Sequence, residues 1–282
     1  MKIFIAGATG VLGRLLIPKL VQEGHEVVGM THHKSNMKLI SDLGAVPAVA
    51  DALNQSSVQT VLELARPDMV IHQLTSLGSY NLEDNAEIRM VGTRNLVEAS
   101  KSVNVKKMIA QSISWAYEPG DKPANEQVSL DIHAALPRKT TIDGIVALEE
   151  AVAEIPNHII LRYGAFYGPA TWYERNGRNA VKVMNKEIPA TDGISSFIHI
   201  HDAAQATVQA IHWPTGPVNI VDDEPAPGVV WLPLYASAIG APMPDLQEGR
   251  NACERGASNR LAREDYKWQP MFPSWRDGFK HI

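Results

Sequence analysis

Glycines at positions 7, 10 and 13 stand between a short apolar run, Ile3-Phe4-Ile5-Ala6, and an amphipathic segment, and nothing else restricts this chain as tightly. A glycine directly after a buried strand lets the backbone turn sharply. A second removes the side chain where a pyrophosphate must approach backbone N–H groups, and a third lets the following helix lie close to the sheet with its positive end toward the phosphates. The loop Gly7-Ala8-Thr9-Gly10-Val11-Leu12-Gly13 has the spacing G-x-x-G-x-x-G, in place of the generic G-x-G-x-x-G. A second apolar run follows the helix, so the chain begins as a strand–helix–strand unit suited to holding a dinucleotide.

Short apolar runs continue to alternate with longer segments of helical period. Strands are predicted over 3–6, 26–30, 45–50, 69–72, 107–110 and 158–161, and helices over 11–22, 35–43, 56–65, 86–103 and 141–153. Such alternation gives right-handed crossovers, and the predicted class is α/β: a Rossmann-type doubly wound parallel sheet with a smaller C-terminal substrate lobe. Pro18 falls inside the first predicted helix and should kink it, because it removes one hydrogen bond. After Pro169 the elements shorten, Pro and Gly become frequent, and Trp172, Tyr173, Trp231, Tyr235, Trp268 and Trp275 collect. Residues 1–168 are therefore assigned to the dinucleotide-binding part. Residues 169–282 are assigned to a smaller lobe interleaved with it, over the carboxyl edge of the sheet where open α/β folds bind ligands.

A chain of 282 residues, 45% hydrophobic and 20% charged, has ordinary globular composition. Its net charge of -5 and the lack of a Lys/Arg cluster argue against a nucleic-acid partner. Cys253 is the one cysteine, which excludes an internal disulfide framework and a cysteine-based zinc site and fits a reducing compartment. No apolar run approaches the roughly 18 residues that cross a bilayer, and the first run is too short for a signal sequence. A soluble cytoplasmic protein with a small-molecule substrate and no membrane partner is expected.

The second predicted strand ends at Met30-Thr31, where a carboxylate would grip the ribose 2′-hydroxyl of NAD. The chain instead reads Thr31-His32-His33-Lys34, with no carboxylate before Asp42. His and Lys can donate hydrogen bonds to a 2′-phosphate that a carboxylate would repel, so NADP is favoured and NAD remains possible. His32 and His33 can also be read as solvated loop residues. Asp51 and Ala52 follow the third strand, where they could take the adenine amino group; Asp51 could equally cap or turn the start of the next helix.

The glycine loop joins with Val70-Ile71-His72-Gln73-Leu74, Gly92-Thr93-Arg94-Asn95-Leu96 and Arg162-Tyr163-Gly164-Ala165-Phe166-Tyr167-Gly168-Pro169. Together they resemble the extended and atypical short-chain dehydrogenase/reductase superfamily, in its NAD-dependent epimerase/dehydratase branch. The likeness continues through Phe197-Ile198-His199-Ile200-His201-Asp202 to Ser274-Trp275-Arg276-Asp277-Gly278-Phe279, nearly the whole chain. It implies a Rossmann core and a C-terminal substrate lobe, a monomer or homodimer acting on sugar nucleotides or small carbonyl compounds. Thr9, Val11, Leu12, Leu74, Thr75, Gln111 and Tyr163 join the glycines, His32, His33, Asp51 and Ala52 as expected cofactor-binding residues.

The resemblance breaks at the catalytic pattern. Enzymes of this family use a Tyr-x-x-x-Lys helix in which the Tyr gives or takes a proton while the Lys lowers its pKa and holds the ribose. The i, i+4 spacing sets both on one helix face. No Tyr here has a Lys four residues later, and alignment on Leu148-Glu149 puts Thr141 and Ile145 at the two positions. The family's Ser/Thr position falls on Ile113, between Ser112 and Ser114, and its Asn on the preceding helix corresponds to Arg89. Ser112, Ser114 and Tyr117 remain as catalytic candidates, with Tyr163, Tyr167 and Tyr173 as further phenols. A phenol, with a pKa of roughly 10, needs a neighbouring charge to serve as an acid near neutrality.

Two readings stay open: an NAD(P)-dependent oxidoreductase or epimerase-like enzyme lacking the usual pair, or a non-catalytic NADP-binding sensor. A lyase or isomerase without net redox is a third. His199 and His201 flank Ile200 in an alternating strand without a third ligand of matching placement, so no metal site is expected. Asp202 is expected to cap a helix over 203–212, and Asp222-Asp223-Glu224 to lie in a solvated turn. No G-x-S-x-G elbow accompanies Ser112.

Overall fold

A computed structural model describes residues 1–78 and 81–282. Strand and helix alternate from the start: β1 (Lys2–Ala6), α1 (Val11–Gln22), β2 (Glu26–Thr31), α2 (Met37–Asp42), β3 (Val46–Val49), α3 (Gln55–Ala65), β4 (Met69–His72), α4 (Leu82–Glu87), α5 (Thr93–Ser102), β5 (Lys107–Ile113), α6 (Arg138–Val152) and β6 (Asn157–Tyr163). Shorter elements follow: β7 (Ala165–Tyr167), α7 (Arg178–Met184), β8 (Ile194–Ser195), β9 (Phe197–His199), α8 (Ile200–Gln209), β10 (Gly216–Ile220), β11 (Ala226–Pro227), α9 (Gly228–Ile239) and α10 (Trp275–Gly278).

Seven strands form one sheet in the order β10-β6-β5-β4-β1-β2-β3, and β1 pairs in parallel with both β2 and β4. The β2–β3 and β4–β5 pairs are parallel as well. The chain winds outward from β1 to β3, then crosses back to lay β4 on the other side of β1. This is the Rossmann-type doubly wound sheet that the sequence predicts, with its switch point between β1 and β4. Ile3, Phe4, Ile5, Val70 and Ile71 have no exposure at all, as strands covered on both faces require. No helix among the described residues is long and apolar enough to cross a membrane.

The chain divides into two compact units, each gathered from separate stretches. The first takes residues 1–112, 132–161 and 207–217; the second takes 113–131, 162–206 and 218–282. Three of the five divisions fall inside β5, β6 and β10, and another inside α8. In the second unit Tyr167, Phe197, Trp231, Tyr235, Trp275 and Phe279 build an aromatic core. Trp172, expected among the collected aromatics, is instead exposed.

Three expectations are corrected. The single helix over 86–103 is three pieces, α4, a π-helical turn Ile88–Gly92, and α5. A π turn is a single widened turn, too short for a period read over a whole segment to mark it. Asp202 does not cap a helix, because α8 already begins at Ile200; its fully buried carboxylate accepts the backbone N–H groups of Met271 (2.7 Å) and Phe272 (3.0 Å). Asp222 is not solvated. It is buried and accepts the N–H groups of Trp275 (2.8 Å) and Glu224 (3.2 Å). Both carboxylates anchor the C-terminal segment, whose proximity is invisible in sequence.

Candidate functional site

Loops at the carboxyl ends of β1, β2, β3 and β4 enclose a cleft of about 630 Å³ in the first unit, within the range of small-molecule and cofactor sites. Its floor is the glycine loop. Gly7 has φ +90°, and a Cβ there would stand 2.6 Å from the Gln73 carbonyl oxygen. A Cβ on Gly13 would lie 2.4 Å from the Gly7 oxygen, so bare backbone lets α1 settle on the loop. Gly10 is the N-cap of α1, without a side-chain cap, and the first turn holds no acidic residue. The orphan N–H groups of that turn are left for an anionic ligand.

Of the expected cofactor-binding residues, Gly7, Thr9, Gly10, His32, His33, Asp51, Ala52, Leu74 and Thr75 line this cleft. Val11, Leu12, Gly13, Gln111 and Tyr163 are not part of its wall. The His32 and His33 rings lie 4.8 Å apart, and His32 Nδ1 is 3.9 Å from Asp51 Oδ1. Thr31 Oγ1 accepts the His33 N–H at 3.3 Å and the Asn36 side-chain amide at 3.4 Å, fixing the loop without a carboxylate. Asp51 lines the cleft, and its Oδ1 accepts the Leu53 N–H at 3.0 Å in a local turn. The cap of α3 is Asn54, which accepts from Ser57 N at 3.0 Å.

Gln73, Glu87 and Ile88 also line the cleft and were not singled out by the sequence. Gln73 directly follows β4, a position at a strand's carboxyl end that could have marked it. Its side-chain oxygen and nitrogen are both buried without a hydrogen-bond partner. An orphaned amide, a bare glycine cradle and an uncapped helix start together fit a dinucleotide.

Behind the cleft wall, His72 is almost wholly buried. Its Nδ1 accepts the Leu74 N–H (3.2 Å), so Nε2–H donates to Thr93 Oγ1 (2.7 Å). Burial, then the nearby Arg89 guanidinium, push its pKa down to about 4, and the ring is neutral near pH 7. Arg89, on the π turn, is itself 4% exposed, and burial lowers it to about 10.

The catalytic candidates are all withdrawn from the cleft wall. Ser112 is fully buried and donates to Glu149 Oε1 at 2.6 Å. Ser114 is buried, and its N–H donates to the Tyr163 carbonyl at 2.9 Å. The Tyr117 hydroxyl donates to Asn219 Oδ1 at 2.5 Å, with the Arg162 guanidinium 4.9 Å above its ring. Tyr167 and Tyr173 move the wrong way for acids: burial pushes both upward, Tyr173 to about 12. On α6, Thr141 and Ile145 are both buried, and neither replaces the acid or the cation.

The family model for the NAD dependent epimerase/dehydratase family matches residues 3–220. A 3-diazoavenalumate denitrifying reductase from Streptomyces is 36% identical over 304 residues, covering 99% of each chain. The UDP-glucose 4-epimerase of Thermotoga maritima superposes with a TM-score of 0.78 at 20% identity, over 99% of this chain and 96% of that one. The Thermus thermophilus UDP-glucose 4-epimerase, solved with NAD, gives 0.77 at 21% identity, over 100% and 97%. These two structures share the fold.

Proposed function

The chain belongs to the NAD dependent epimerase/dehydratase family, and on that premise we propose that it is an NADPH-dependent reductase whose hydride acceptor needs no protein acid. One observation carries this reading: the chain joins a phosphate loop fit for a dinucleotide to a buried helix face, Thr141 and Ile145, that holds neither a phenol nor a cation. Reducing a carbonyl leaves an oxyanion that must be protonated, which is the task of the missing pair. Reducing a cationic acceptor with a neutral leaving group leaves none.

The Streptomyces relative is by its name a reductase that denitrifies a diazo compound, and we assign this chain a substrate of that class. With an arenediazonium, a C–H bond forms, the C–N bond breaks, its electron pair leaves in N2, and the charges cancel. When bound, the reduced dinucleotide would supply the hydride. The chain's own residues bind and orient. Gly7, Thr9, Gly10 and the first N–H groups of α1 would hold the pyrophosphate, and His32 and His33 would donate to the 2′-phosphate. Asp51 and Ala52 would take the adenine, with Leu74 and Thr75 completing the wall of the cleft. Ser112 and Tyr117 are engaged by the Glu149 and Asn219 side chains.

The test supplies NADPH or NADH with an arenediazonium, a UDP-sugar or a simple ketone, and follows nucleotide absorbance and nitrogen release against protein-free controls. NADPH loss in step with nitrogen is expected with the diazonium alone. Tight NADPH binding with no acceptor reduced would leave a non-catalytic NADP sensor instead.

A further inference from the structure

We propose that Arg89 is a binding residue of the dinucleotide site, placing on the α4–α5 turn the cation that α6 lacks. The proposal rests on the dinucleotide-binding reading above. A guanidinium withdrawn from water is costly unless it is paired, yet Arg89 is 4% exposed and burial alone accounts for its lowered pKa of about 10, with no acidic group opposing it. Among the described residues no carboxylate forms an ion pair with it. Its electrostatic neighbour is His72, and both ring nitrogens of His72 are already engaged, with Leu74 and Thr93. The histidine therefore has no lone pair to offer. A cation that stays charged near neutrality, is buried, and has no ion-pair partner among the described residues is matched to a ligand rich in oxygen acceptors.

The surroundings say where that ligand lies. Glu87 and Ile88, immediately before Arg89, line the cleft, and Arg89 adjoins that wall in sequence without being part of it. The turn that carries them is the π-helical segment Ile88–Gly92, a local geometry that recurs at functional sites. It leads on from α4, which approaches α6 so closely that a Cβ on Gly144 would lie 3.1 Å from the Ala86 Cα. On α6 itself, Ile145 is fully buried and apolar where relatives of this pattern hold a lysine. The positive charge has thus moved from α6 to the turn packed against it. A guanidinium cannot hand over a proton as an acid, so Arg89 holds phosphate or ribose oxygens at the nicotinamide end, which suits a hydride acceptor that needs no proton.

Calorimetric titration of wild type, Arg89→Met and Arg89→Lys with NADPH and with adenosine 2′,5′-bisphosphate, plus thermal unfolding without ligand, tests this. Arg89→Met should weaken NADPH by about tenfold or more and leave the adenosine fragment within about twofold. Its unliganded melting temperature should hold or rise, because an unpaired buried charge is gone, and Arg89→Lys should recover part of the NADPH affinity. A lowered melting temperature with unchanged NADPH affinity would make Arg89 structural and overturn the proposal. Equal losses for both ligands would place it at the adenosine end and overturn it too. If wild type binds neither ligand, the dinucleotide reading itself fails.

Discussion

Cofactor choice at the end of β2 comes down to what two imidazoles can donate and to a carboxylate that is missing. His32 and His33 line the cleft side by side, and the loop is tied through the Thr31 hydroxyl. Replacing His33 by Asp removes a donor and sets a like charge against a 2′-phosphate. NADPH affinity should then fall by about tenfold to a hundredfold while NADH holds or improves; titration with both checks this, and equal losses would sink the assignment. The glycines separate in the same way. Gly7 combines φ +90° with a Cβ position 2.6 Å from the Gln73 oxygen, so Gly7→Ala should cost about 1–3 kcal/mol of stability along with binding. Gly10 has no such strain, and its nearest neighbour is 3.3 Å away. Gly10→Ala should lose far less stability than Gly7→Ala and still bind NADPH poorly, because its methyl group would meet the ligand and, within the protein, only the Gly7 oxygen at 3.3 Å.

On α6 the face that carries Thr141 and Ile145 is buried and belongs to the core. Ile145 is fully buried, so Ile145→Lys should cost about 3 kcal/mol or more in denaturant unfolding. Adding Thr141→Tyr should not create a ketone reductase, since the helix is packed to exclude what it would need. Sequence reached this element well: the loss of the pair is a matter of spacing, and the strand–helix alternation is a matter of periodicity. Long-range partners were out of its reach. Ser112 reads as a free hydroxyl until Glu149, 37 residues on, is folded against it, and Tyr117 until Asn219, 102 residues on, accepts its hydrogen bond. The break of the 86–103 helix at Ile88–Gly92 was hidden because a single π turn is too short to change the period read over the whole segment. Arg89 was visible only as an odd residue in the family's Asn position; its importance comes from a burial that no pattern announces.

For the molecule as a whole, the buried titrating groups give the two units opposite pH responses. In the first unit His72, ordinarily near 6.5, is pushed to about 4 by burial and then by Arg89. As pH falls below 6.5 the unfolded chain gains a proton that the folded unit refuses until about 4. The stability is therefore complete above 6.5 and is lost across that window, by about 3 kcal/mol. In the second unit His199 behaves alike, pushed to about 4 by burial and then by His201 and His281. There Asp222 opposes it: burial raises its carboxyl from 3.8 to about 8, against the N–H groups of Glu224 and Trp275. The folded unit keeps the Asp222 proton that the unfolded chain releases, so this contribution is complete below 3.8 and is lost as pH rises toward 8. Between 4 and 6.5 the two groups of the second unit offset each other, while His72 has no such counterweight. Acidification from 6.5 to 4 should therefore loosen the first unit and spare the second, and a rise from 6.5 to 8 should do the reverse. Hydrogen exchange of the β1 and β4 amides against those of α9, corrected for intrinsic rates, reads each unit separately. Protection lost in parallel in both units at either end of the range would contradict this assignment.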